Sequence, residues 1–192
     1  MTEHRRAENW LFWIWWVLAN LVAWPMGAAI GWVISQQITR LLGSATASIV
    51  GMAVAGAIVG LGQWAVLQAR TGQSGWWIPV SSLGLAGGFA AARIALDWDR
   101  AGFVVIFGSV GVLVGIVQWM VLGRYVPTGG WWIPGTCVGY VGAILVSAWL
   151  EGVFSLSSPL SFVLPSIVLG VVFGAISGLL LAGLLSAFGT GE

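Results

Sequence analysis

Apolar residues run along this chain in long stretches, each closed by charge, proline or a Gly/Ser cluster. Six can be drawn: Trp10 to Ser35, Ala45 to Gln68, Trp76 to Leu96, Ala101 to Leu122, Trp131 to Leu150 and Leu160 to Phe188. Each is close to the roughly 20 residues that a helix needs to cross a bilayer. Barrel strands would alternate apolar and polar residues over about ten positions, whereas Val104 to Val117 is apolar or small throughout. The pattern predicts an all-α fold: one polytopic transmembrane helix bundle of six helices, filling residues 1–192. The segment Met1 to Glu8 is polar, and the apolar run after it is too long for a signal-peptide core of about 7–15 residues. It is read as a retained first helix.

The chain also matches itself. A shift of 55 residues superposes Gly56, Gly60, Gln63 and Trp64 on Gly111, Gly115, Gln118 and Trp119. The same shift carries Trp76, Trp77, Ile78 and Pro79 onto Trp131, Trp132, Ile133 and Pro134. Both copies read Gly-x-x-x-Gly-x-x-Gln-Trp-x-Val-Leu, a short loop with one Arg, then Trp-Trp-Ile-Pro opening the next helix. Residues of about 51–96 and 106–151 thus form an internal repeat. Helix 1 joins it less closely, with Trp15 and Trp16 about eleven residues before Gly27 as Trp77 precedes Gly88, and the sixth helix keeps only its glycines. Three tandem helical hairpins are expected. Units of one in-out sense make a parallel repeat, unlike the inverted repeats of many secondary transporters.

This pattern resembles that of uncharacterised bacterial multi-pass membrane proteins in which Gln-Trp-x-Val/Leu-Leu and Trp-Trp-Ile recur. The resemblance covers about residues 51–143. It implies a polytopic membrane fold and supplies no activity; the chain is expected to be of the bacterial inner-membrane type.

Composition agrees: 59% of residues are hydrophobic and 7% charged, with a mean hydropathy of +0.98, where soluble domains carry about a quarter charged residues. A net charge of +1 offers no basic surface for nucleic acid. The chain has no lysine, which excludes retinal and pyridoxal Schiff bases. Cys137 is the single cysteine and forbids an intramolecular disulfide. His4, the single histidine, precedes the first span, so a Ser-His dyad, a histidine-rich metal site and haem ligation inside the membrane lack their central residue. Asp97 and Asp99 share one loop, which rules out a two-helix aspartate pair. The expectation is no enzyme; no cofactor can be named.

Arginine placement suggests cytoplasmic termini, with Arg5, Arg6, Arg70 and Arg124 inside and Arg40, Arg93 and Arg100 at the other face. Glycines four apart occur in every proposed helix, suiting close backbone packing in a medium as apolar as the side chains. Pro79 and Pro134 sit in first turns, where a missing N–H costs nothing, while Pro25 and Pro165 fall inside apolar runs.

Two sets of residues are candidate sites. Gln63, Trp64, Trp76 and Trp77 with Arg70, and Gln118, Trp119, Trp131 and Trp132 with Arg124, are expected to line two equivalent pockets at the inner interface. Each would have an aromatic wall, an amide and an arginine suited to a lipid head group. Replacing Gln63 and Gln118 by Leu should then disturb lipid retention with little loss of folding. The second set is Arg93, Asp97 and Glu151, ionisable groups near the outer face that suit an ion-pair cluster. Asn20, an amide near mid-membrane, suits an interhelical hydrogen bond. Expected partners are membrane lipids and other membrane subunits. The functional expectation is a non-catalytic membrane component, either a complex subunit and scaffold or a bundle holding lipid or an apolar cofactor. The alternative is a small-solute transporter or its substrate-binding membrane subunit.

Overall fold

A computed structural model describes residues 2–72, 75–96, 102–126, 128–154 and 158–188. Among them every regular element is helical: α1 (Thr2–Thr71), α2 (Trp77–Ala95), α3 (Phe103–Leu122), α4 (Trp132–Phe154) and α5 (Ser158–Phe188), with a 3-10 turn at Gly129–Trp131 before α4. Each has a stretch long and apolar enough to cross a membrane.

The described helices number five where six were expected, because the first two predicted helices join. Residues 36–44, left between two spans by the apolar pattern, are helical except at Gly43, whose φ of 75° and ψ of 158° break α1 at one residue. That region is almost closed to side chains with a Cβ, so glycine turns the chain without a loop. The hydroxyl of Thr39 donates to the Ser35 carbonyl at 2.7 Å, so this polar residue fits the helix leading to the turn.

The two arms of α1, residues 2–42 and 44–71, fold back on each other. A Cβ built on Gly51 would lie 2.6 Å from the Gly31 carbonyl oxygen, and one on Gly27 3.2 Å from Ala55 Cα. At the other end, Arg70 Nη1 donates to Asn9 Oδ1 at 2.8 Å. The second arm packs on α2, α2 on α3, α3 on α4, α4 on α5, and α5 returns to the first arm. The result is a closed ring of rods. Glycines make the close approaches all the way round: Gly56 and Gly60 against α2, Gly84 and Gly88 against α3, Gly111 and Gly115 against α4, Gly139 against α5, and Gly170 and Gly174 against the first arm.

Polar side chains are found inside and large apolar ones on the surface as well as in the core. Asn20, Gln63, Ser81, Gln118, Thr136, Ser147 and Ser177 are buried, while Trp15, Ile94, Phe103, Trp131 and Trp149 are more than half exposed. Two stacked apolar clusters fill the ring. One holds Phe12, Trp16, Leu67, Trp77, Val126, Trp132 and Leu181; the other holds Trp24, Leu85, Val110, Val114, Tyr140 and Phe173. Pro25 and Pro165 both lie within their helices.

Candidate functional site

The buried polar side chains other than Ser147 form a layer between the two apolar clusters. Alternate rods of the ring (the first arm, α2 and α4) each send a fully buried tryptophan to the centre: Trp16, Trp77 and Trp132. Trp132 meets Trp16 at 6.2 Å and Trp77 at 5.9 Å between ring centroids, both edge to face, the arrangement aromatic quadrupoles favour. One helical turn on, at i+4, each of these rods carries a small polar residue: Asn20, Ser81 and Thr136. A further turn brings Trp24, Leu85 and Tyr140. The intervening rods supply Gln63, Gln118 and Ser177, all buried.

An indole N–H can donate but not accept, and each central tryptophan spends its one hydrogen on the preceding rod. Trp77 Nε1 donates to Gln63 Oε1 and Trp132 Nε1 to Gln118 Oε1, both at 3.0 Å and both across 14 residues of sequence. Trp16 Nε1 closes the ring by donating to Ser177 Oγ at 2.9 Å. The amide nitrogens reach to the next polar group: Gln63 Nε2 donates to Asn20 Oδ1 at 2.9 Å, and Gln118 Nε2 to Ser81 Oγ at 2.9 Å. A longer bond, 3.4 Å from Gln118 Nε2 to Gln63 Oε1, joins the two copies. Asn20 Nδ2 turns back to the Trp16 carbonyl, Thr136 to that of Trp132 and Ser177 to that of Phe173.

Of the residues expected to line two pockets, the structure brings Gln63, Trp77, Gln118 and Trp132 into this one network. Trp64 is half-buried against the apolar cluster beside it. Trp76, Trp119 and Trp131 face outward. Arg70 is held between the arms of α1 by Asn9, with its guanidinium 5.2 Å from the Phe12 ring centre, and Arg124 is exposed on the turn after α3. The aromatic-amide-arginine pockets are therefore not assembled, because successive tryptophans point to opposite sides of the ring wall. Burial also removes the expectation that Gln63 and Gln118 can become leucine with little loss of folding. Arg93 lies exposed in the last turn of α2 and Glu151 exposed near the end of α4. Asp97 lies outside the described residues. Asn20 makes the interhelical bond its position suggested.

Sequence reading missed Trp16, Ser81, Thr136, Ser177, Trp24 and Tyr140 as members of the site. The available signal was the Trp-x-x-x-Asn/Ser/Thr spacing at Trp16, Trp77 and Trp132. Chemically the layer offers neutral donors and acceptors. Among the described residues there is no group of three His, Cys, Asp or Glu able to hold a metal. A cavity of about 10 Å³ adjoins the layer, lined by residues that include Trp24, Gln63, Ser81, Gln118, Tyr140 and Phe173.

Comparison with protein families, curated proteins and solved structures finds no match to this chain.

Proposed function

We propose that this chain is a non-catalytic integral membrane bundle, a subunit or scaffold that presents its outer face to lipid and to other membrane proteins. The observation that carries this reading is the apolar exterior, with Trp15, Ile94, Phe103 and Trp149 turned outward, beside internal amides that bond to one another, Gln63 to Asn20 and Gln118 to Gln63. In hydrocarbon a polar group needs an internal partner, and an outward Trp or Leu costs nothing. A transported solute would have to pass the centre that Trp16, Trp77 and Trp132 fill, so the packing favours a scaffold over a transporter. The resemblance in the Gln-Trp and Trp-Trp-Ile motifs supports a place among bacterial inner-membrane proteins. Native mass spectrometry from mild detergent tests the function. Stoichiometric protein subunits retained on the full chain are expected; a bare chain releasing one defined small solute would return the transporter reading.

In this proposal the two arms of α1 and the four other helices cross the membrane six times as three tandem hairpins, with both termini cytoplasmic. The repeated Trp-to-Gln bonds support the tandem plan, and the Arg70–Asn9 bond sets the second arm's end beside the chain's start. Labelling checks the topology. In a Cys137→Ala host, Leu41→Cys at the Gly43 turn should react with an impermeant maleimide from outside intact cells, and Arg124→Cys only after lysis. Reaction of both from the same side would refute the crossing pattern.

A further inference from the structure

Trp24 is 6% exposed, yet its Nε1 is a buried side-chain polar atom with no hydrogen-bond partner. Such an orphan is rare, because a buried N–H that leaves water without a replacement is costly. Trp24 is also part of the wall of the axial cavity, together with Gln63, Ser81, Gln118 and Tyr140. We propose that this cavity is a hydration site: one water molecule sits on the bundle axis, accepts the Trp24 N–H and bridges it to the Gln63–Gln118 pair.

The volume, about 10 Å³, is at the size where one water fits and nothing larger does. A buried water needs two to four polar partners, and the layer has them to spare. Gln63 Nε2 carries two hydrogens and gives one to Asn20. Gln118 Oε1 has two lone pairs and receives Trp132 on one. The Tyr140 hydroxyl takes part in none of the bonds described above. Water can accept from Trp24 and Gln63 while donating to Gln118 and Tyr140, a set that no single side chain in the wall supplies. A cation fits poorly, since the wall holds no carboxylate to ligate it. An apolar guest would leave the indole unpaired.

The site lies where the three-fold plan is broken. The equivalent positions two turns beyond the central tryptophans are Trp24, Leu85 and Tyr140, three side chains of unequal length. A symmetric layer would close over the axis, whereas leucine beside two larger rings leaves a gap next to the amides.

The test uses the full chain in micelles with 15N-labelled tryptophan indoles, the Trp24 resonance being assigned by its loss in Trp24→Phe. The expected result is a cross-peak between the Trp24 indole proton and a long-lived water, abolished in Val114→Ile, which adds a methylene to the cavity wall. Absence of the cross-peak in the unmodified chain, or its survival unchanged in Val114→Ile, would overturn the assignment. Should Trp24→Phe fail to fold, an experimental density map of the unmodified chain decides the matter. A solvent peak within hydrogen-bond distance of Trp24 Nε1 supports the site, and an empty cavity or a metal ion there refutes it.

Discussion

Gly56→Ala should loosen the bundle, and Gly87→Ala, a chemically identical change on α2, should leave it intact or firmer. The difference lies in what the added methyl meets. At Gly56 it would stand 2.6 Å from the Ser81 carbonyl oxygen and 2.8 Å from Ser82 Cα, whereas at Gly87 nothing lies within 4 Å. Backbone cannot rotate aside as a side chain can, so the second arm and α2 must move apart by up to about an ångström to restore ordinary contact. That separation also strains the bond from Ser82 Oγ to the Ala53 carbonyl, now 2.7 Å. Overpacking of this kind costs about 1–3 kcal/mol. Alanine is the better helix former by about 1 kcal/mol, which acts unopposed at Gly87. Thermal unfolding followed by circular dichroism in one detergent should separate the two variants clearly. Gly170→Ala, whose methyl would meet Asn20 O at 2.6 Å and Leu21 Cα at 2.9 Å, belongs with Gly56. Equal stability of Gly56→Ala and Gly87→Ala would mean that close backbone contact does not hold this ring.

The helices were legible from the apolar runs because the signal is length, and length survives whatever a helix packs against. Which face of each helix turns inward was not. A helix in water announces its buried face by apolar periodicity; one in hydrocarbon can be apolar on nearly every side, and α3 is an example, with Ser109 and Gln118 its only polar side chains from Phe103 to Leu122. Adjacent tryptophans therefore looked alike. Trp15 is 61% exposed and Trp16 is 0% exposed, and the pairs Trp76/Trp77 and Trp131/Trp132 divide in the same way, because one residue turns the helix by about 100°. The repeat pointed to Gln63 and Gln118 through residue identity. It passed over Asn20, Ser81 and Thr136, which share a place in the layer but not a side chain, and Ser177, which stands where the other copies have glutamine. Gly43 escaped notice for another reason: Gln36, Gln37, Thr39 and Arg40 read as a polar connection between two spans, whereas they continue the helix and the chain turns at one glycine beyond them.

Loss of the Gln63 amide should rank, with loss of Gln118, which likewise serves three partners, as the largest effect in the polar layer. Its two polar atoms serve three partners on three rods: Trp77 of α2, Asn20 of the first arm and Gln118 of α3. Leucine is close in size and apolar, so Gln63→Leu preserves packing while stranding the Trp77 indole N–H and Asn20 Oδ1 out of reach of bulk water. Hydrogen bonds inside membrane proteins contribute about 0.6 kcal/mol on average and up to about 1.7, which puts three broken bonds at about 2–5 kcal/mol. Ser109→Ala removes one exposed hydroxyl that bonds only within its own helix and should move stability by no more than about 0.5 kcal/mol. The sharper measurement is a double-mutant cycle. Trp77→Phe alone leaves Gln63 Oε1 with only the longer Gln118 bond, and combined with Gln63→Leu it has little left to disturb, so the pair should be non-additive by about 0.5–3 kcal/mol. Additive losses would show that the 3.0 Å contact between Trp77 and Gln63 does not contribute as a bond. The same cycle at Trp132 and Gln118 should return a coupling of similar size, since the geometry is repeated at 3.0 Å. At Trp16 and Ser177 the coupling should be smaller, because the serine hydroxyl also donates to the Phe173 carbonyl and keeps that bond when the indole is gone.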